Sequence, residues 1–270
     1  MTVLTHRFAA CAAAALAGLL CLSAPAKAAQ DIWPTLKQQA FGDRAVAEDG
    51  MVVLEIPATA EDAALVPLTV RVPPHVKQEL KSLTLFIDNN PDPRIATLTF
   101  GPAAGTGGER SFSTRVRIED FSYVRAVLET ADGTLHMASR FVAAAGGCAA
   151  MAAKDPETET VDLGKTLVKV FPPAIEQSPI WSAQVMIKHP NANGMQLDIN
   201  TANFIPARYV REMVVKRGGE LVFKMDSTFS ISTNPNFRFT FGRGEDNGLD
   251  VVITDTDATR FAGKSAPSGS

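Results

Sequence analysis

The feature that most constrains this chain is a period-two alternation of apolar and polar residues in many short runs. Leu68, Val70 and Val72 alternate with Thr69 and Arg71. Phe112, Thr114, Val116 and Ile118 alternate with Ser113, Arg115 and Arg117. Successive side chains of a strand point to opposite faces, so this spacing predicts strands with one buried face. Further short runs fall at 51–56, 83–87, 95–100, 124–129 and 135–141, separated by Pro73-Pro74, Asn89-Asn90-Pro91-Asp92-Pro93 and Asp132-Gly133. A second series follows from 167 to 253. It includes Trp181, Ala183, Val185 and Ile187, then Phe237, Phe239 and Phe241, then Leu249, Val251 and Ile253. Residues 209–216 and 221–226 flank Gly218-Gly219, a hairpin turn. Strands do not alternate with helices, which excludes a parallel α/β sheet.

These patterns predict an all-β chain: two immunoglobulin-like β-sandwich domains in tandem, preceded by a short N-terminal helix. The helix is expected over 31–42, where Ile32, Leu36 and Ala40 share a face, Gly42 suits the C-cap and Trp33 anchors the core.

Residues 1–28 read as a secretory signal peptide, with Arg7, an apolar run from Phe8 to Leu22, and Ala26-Lys27-Ala28 as the cleavage site. A lipoprotein signal would use Cys21, but Leu19-Leu20 stand where a small residue is expected. No second apolar run is long enough to span a membrane, so an exported, periplasmic and soluble protein is expected, without a membrane partner. Removing Arg7 and Lys27 leaves 24 basic against 29 acidic residues, net −5. That balance gives no support to nucleic-acid binding, which needs a concentrated basic face.

Of three cysteines, Cys11 and Cys21 lie in the signal, leaving Cys148 alone. An unpaired thiol in an oxidising compartment points to reactive chemistry or to a disulfide-linked homodimer. Its neighbours are Gly146, Gly147, Ala149 and Ala150. Such small residues suit an exposed arm that presents sulfur to another protein; an inert core cysteine would sit among large apolar side chains. The composition shift here sets the expected organisation. It is a first sandwich over 30–145, an arm and linker over 146–164, a second sandwich over 165–263 and a disordered tail over 264–270.

The first domain with its Gly-Gly-Cys segment resembles SoxY, the sulfur-carrier subunit of bacterial thiosulfate oxidation. The second resembles its partner SoxZ, through His189-Pro190-Asn191-Ala192-Asn193-Gly194, Ile205-Pro206-Ala207-Arg208-Tyr209, the strand at 210–216, and Ser232-Thr233-Asn234-Pro235-Asn236-Phe237-Arg238-Phe239. The resemblance implies a SoxY–SoxZ fusion with two immunoglobulin-like domains, of the kind associated with quinoprotein (PQQ-dependent) alcohol dehydrogenases. It implies a non-enzymatic carrier without a cofactor, whose Cys148 bears a sulfur species as a covalent adduct. Its partners would be periplasmic sulfur-oxidation enzymes or the quinoprotein dehydrogenase. In the two-subunit relatives the arm is a C-terminal Gly-Gly-Cys-Gly-Gly; here Ala149-Ala150 follow the cysteine and the arm is internal. Two alternatives remain open: a non-covalent binding or assembly module for a PQQ-dependent dehydrogenase, and a copper-binding redox protein. For copper, Cys148 and Met151 supply part of a ligand set, but no histidine follows closely; His75, His136 and His189 are scattered. His189 reads as a structural residue before Pro190. Arg115, Arg117 and Arg125 could hold an anion near the arm, but read more simply as a polar strand face.

Overall fold

The computed structural model describes residues 31–149, 162–198 and 201–266. The expected signal peptide, Ala150, Met151 and residues 267–270 lie outside the described residues.

Helix α1, Trp33–Phe41, ends at Gly42, whose φ of 63° is the left-handed turn that glycine accepts, and whose N–H donates to Gln38 O. The first half of the chain then forms β1 (Val46–Ala47), β2 (Val53–Glu55), β3 (Val66–Val72), β4 (Leu80–Ile87), β5 (Arg94–Phe100), β6 (Arg110–Val116), β7 (Ser122–Thr130) and β8 (Leu135–Val142). The second half forms β9 (Thr166–Phe171), β10 (Ile180–Ile187), β11 (Val210–Arg217), β12 (Glu220–Ser227), β13 (Asn236–Gly242), β14 (Leu249–Asp255) and β15 (Arg260–Lys264). Two elements were not foreseen: the two-residue β1, parallel to β8, and β15, antiparallel to β14. Residues 264 and 265, expected in a disordered tail, are held in the sheet. Lys264 closes β15, and Ser265 exchanges two hydrogen bonds with Leu249 across the sheet.

The structure is an all-β sandwich of two sheets. One has nine strands in the order β1-β8-β7-β4-β5-β12-β11-β14-β15; the other has six, β2-β3-β6-β13-β10-β9. Each half contributes strands to both sheets, as two tandem sandwiches would. The halves are nonetheless continuous. β5 pairs antiparallel with β12, from Phe100↔Phe223 to Ala96↔Ser227, and β6 pairs with β13 at Phe112↔Phe239 and Ser113↔Arg238. The physical reason is edge satisfaction: each half would otherwise present two rows of unpaired N–H and C=O groups.

The alternation reaches the core as expected. In β3, Val66, Leu68, Val70 and Val72 are buried, and in β14, Leu249, Val251 and Ile253. One apolar cluster runs through both halves. At its centre Phe112 of the first half meets Phe223 edge-to-face at 6.3 Å and Phe237 stacked at 6.2 Å; Phe223 in turn meets Phe239 at 4.9 Å. β7 departs from strict alternation because both of its faces are covered. Val124, Ala126 and Leu128 face the main core, while Val127 joins Phe86, Leu135 and Met137 beneath α1. Trp33 packs there edge-to-face on Phe86 at 5.6 Å. Arg125, read as part of a polar face, is buried. It pairs with Asp88 through Nε and Nη2 and stacks 4.7 Å from the Trp33 ring centroid.

Because the core and both sheets cross the junction, the halves should unfold together. Trp33 lies in the first half and Trp181 in the second, so Trp33→Phe and Trp181→Phe variants each report one half by fluorescence. Their urea transitions are expected to coincide; separated midpoints would show independent domains. Phe223→Ala is expected to destabilise both reporters by about 3–5 kcal/mol, the range for emptying an aromatic site in a packed core.

Candidate functional site

Beyond Val116, β6 leaves its sheet and residues 117–119 run between the halves. Arg117 N–H donates to Ser230 O (2.7 Å), Ile118 N–H to Ala63 O (2.9 Å), and Glu119 N–H to Asn90 Oδ1 (2.9 Å). The segment after β8 lies along this stretch. Gly146 N–H donates to Glu119 O (2.7 Å) and Gly147 N–H to Ile118 O (3.0 Å). The next two amides converge on one carboxylate: Cys148 N–H reaches Glu119 Oε2 at 2.7 Å and Ala149 N–H the same oxygen at 3.3 Å. From the second half, Asn193 Nδ2 donates to Cys148 O at 2.5 Å. Cys148 is thus clamped at the junction by a first-half carboxylate and a second-half amide.

The expectation of an exposed thiol is overturned: Cys148 has 0% of its surface accessible. The two glycines do not serve the exposed arm read from sequence. Gly146 takes φ 77°, which disfavours other residues. At Gly147 a Cβ would collide with the backbone of Ala63 and with Ile118 O, at 2.7 Å from the latter. Its lack of a side chain lets the segment seat. Ala150 lies outside the described residues.

Burial pushes the Cys148 thiol up to about 12; the Glu119 carboxylate adds to this by charge and hydrogen bonding, and Arg117 works against it. At neutral pH the sulfur is a neutral thiol, and the thiolate is the nucleophile. In this closed arrangement Cys148 is protected rather than reactive.

Arg117 corrects a second expectation. Its parity matches the outward Arg115, yet it is 1% exposed. The chain has left the sheet at Val116, so strand parity no longer sets its direction. Nη1 donates to the carbonyls of Asn191, Phe229 and Ile231 at 2.7–2.9 Å, and Nη2 to Thr233 Oγ1 at 2.9 Å. A first-half guanidinium is therefore lodged among second-half carbonyls. Asn191, at φ 48°, completes the socket: its Nδ2 donates to Ile231 O and its Oδ1 accepts from Val210 N–H. His189 is structural, as read. Its Nδ1 accepts from Asn191 N–H, which leaves Nε2 protonated and 3.5 Å from Asp255 Oδ2. Burial pushes its imidazole down, against the pull of Asp255.

Glu119 and Asn193 were not singled out in the sequence. Asn193 lies within the His189–Gly194 motif, but nothing in its spacing gives a role; Glu119 sits in an ordinary acidic pair with Asp120. For copper, no group of three or more His, Cys, Asp or Glu able to hold a metal exists among the described residues. The anion reading of the three arginines finds Arg125 on Asp88 and Arg117 in its carbonyl socket, not gathered at one site.

Comparison with known proteins matches residues 37–148 to the family model "Sulfur oxidation protein SoxY", a match that ends on Cys148, and residues 168–266 to "Sulphur oxidation protein SoxZ". No curated protein matches. Among solved structures, the sulfur carrier protein SoxY from Chlorobium limicola f thiosulfatophilum is 21% identical, over 41% of this chain and 89% of its own, with a TM-score of 0.32. A β-glycosidase from Bacteroides vulgatus is 10% identical over 79% of this chain and 24% of its own, with a TM-score of 0.24.

The clamp makes a kinetic prediction. Alkylation of Cys148 by iodoacetamide at pH 8 is expected to be slower than in urea by about a thousandfold, following the thiolate fraction. Glu119→Gln removes a nearby negative charge and one acceptor, so it should speed the reaction; an unchanged rate would remove Glu119 from the clamp. Stability has a matching sign. With the folded thiol near 12 and an ordinary thiol at 9.0, the neutral thiol favours the fold fully below pH 9. That contribution is lost as pH rises toward 12. Denaturation midpoints of Cys148→Ser should fall less steeply over that window than those of the parent.

Proposed function

The chain being a SoxYZ-like fusion, a SoxY-like half running directly into a SoxZ-like half, we propose that it is a periplasmic sulfur carrier in which Cys148 holds the cargo covalently. The observation that carries this reading is how the thiol is enclosed. Residues 143–149 hold nothing larger than cysteine, so the segment buries little apolar surface of its own. It is held by backbone hydrogen bonds, one carboxylate and one amide. Such bonds contribute about 0.5–1.5 kcal/mol each in net terms between neutral groups and about 1.5–3 to a carboxylate, so opening costs several kcal/mol. A thiol that is shielded at rest and released at modest cost suits a carrier that must not lose its cargo between enzymes.

Loading requires the open form, in which water and a partner lower the thiol's pKa toward its ordinary value. With a persulfide donor R–S–SH, the Cys148 thiolate attacks the outer sulfur, the donor S–S bond breaks and RS⁻ leaves. The product is a Cys148 persulfide, and no external oxidant is consumed. A thiosulfonate-type adduct would instead need a two-electron acceptor in the partner enzyme. The carrier itself does not turn over; sulfur-oxidation enzymes are its partners, and the quinoprotein dehydrogenase is the alternative.

The enclosed, high-pKa thiol also favours one rival: a non-covalent assembly module for that dehydrogenase, in which cysteine chemistry is incidental. Intact-mass spectrometry of protein isolated from periplasm separates the two. A carrier shows a reducible sulfur adduct that is absent in Cys148→Ser, and the substitution abolishes sulfur transfer. An unmodified thiol, with the Ser variant fully functional, would leave the adaptor. Gly147→Ala is expected to unseat the segment and raise the alkylation rate at least about tenfold, because the collision is with backbone and relieving it requires opening.

A further inference from the structure

The outer face of the six-stranded sheet carries an unbalanced positive charge on a net-negative chain. Register places Lys169, Gln184, Arg238 and Ser113 in one row, and Leu167, Met186 and Asn236 in the next. Their neighbours Val168, Val185 and Phe237 are buried, so these rows point outward. Arg115 extends the second row, and Lys165 and Lys188, joined by Lys188 N–H to Lys165 O, stand at its end. These five cations cluster at the β9–β10 side of the face; at its other side Arg71 is paired with Glu55 and Glu109. Among the described residues only Asp162 pairs with any of the five, with Lys165 at 3.4 Å. Several cations elsewhere are ion-paired: Lys224 with Glu212 and Asp226, Lys264 with Asp250, Arg44 and Lys81 with Glu129.

Within this face lies a groove of about 360 Å³. Its floor is apolar, from Leu167, which is 48% exposed, and Met186. Its rim is Arg115, Lys165, Lys188 and Asn234. Arg115 Nη2 donates to Asn234 O at 3.2 Å, but its Nε is buried without an acceptor among the described residues. Asn234 also bonds both backbone groups of His189, accepting from its N–H and donating to its carbonyl. His189 opens the loop that reaches Cys148 through Asn193.

We propose that this groove docks an acidic segment of a partner protein, with an apolar side chain on Leu167 and Met186 and carboxylates on Arg115, Lys165 and Lys188. An unpaired buried donor, three convergent cations and an apolar floor are complementary to that chemistry and to neither a neutral nor a basic segment. A partner seated there abuts the Asn234–His189 connection, and so lies beside the loop that clamps the thiol. The docking surface does not depend on what Cys148 carries.

Fluorescence anisotropy of the full chain with a labelled decapeptide of glutamate and leucine tests it. Lys165→Glu with Lys188→Glu is expected to weaken binding by about tenfold or more, while Arg211→Glu with Lys216→Glu, on the nine-stranded sheet, changes it less than about twofold. Replacing the peptide's leucines by serine should weaken it comparably. Equal loss from the two double variants would show charge alone and overturn the proposal. So would displacement of the peptide by free glutamate at equal carboxylate concentration, which would mark a small-anion site. Sedimentation of the protein alone closes the test: a dimer dissolved by Lys165→Glu with Lys188→Glu would assign the face to self-association, again against the proposal.

Discussion

The structure depends on edge-to-edge pairing at two places, β5 with β12 and β6 with β13. Either pairing alone would leave a hinge. Together they fix the halves in both layers and let Phe112 sit among Phe223 and Phe237 in a common core. Everything at the candidate site follows from this fixed relation. Arg117 reaches carbonyls of the other half, and Glu119 and Asn193 approach Cys148 from opposite sides. A shift in register at either pairing would pull these groups apart, since each bond tolerates only a few tenths of an ångström.

The buried thiol and the buried guanidinium are neighbours with opposite logic. Arg117 is held by neutral carbonyls and a hydroxyl, which solvate its charge in place of water. Its positive field favours a thiolate at Cys148. Desolvation and Glu119 win, and the sulfur stays protonated. The balance lies close to the seam, so whatever withdraws the Glu119 carboxylate tips it toward reactivity without moving Arg117.

Much of the architecture was legible in the sequence because strand periodicity is local. The alternation at 66–72, 110–116, 180–187 and 249–255 became strands with the expected faces, and Gly42 ended the helix over Trp33. The two sheet junctions were not legible. Pairing of β5 with β12 joins residues more than a hundred apart, and an edge strand looks the same in sequence whether solvent or another strand satisfies it. The same blindness explains Cys148. Small neighbours read as freedom, yet Gly147 is small because Ala63 and Ile118 leave no room. Arg117 misled for a related reason: parity predicts direction only while the chain remains in the sheet.

The continuity of the two halves has a consequence in mass action. In a carrier split between two chains, the shelter around the thiol would exist only in the associated fraction, and dilution would expose sulfur. Here the groups that close over Cys148 belong to the same covalent chain, so their effective concentration is set by the fold and not by how much protein is present. The shielded fraction is then independent of expression level, and a competing binding event can change it.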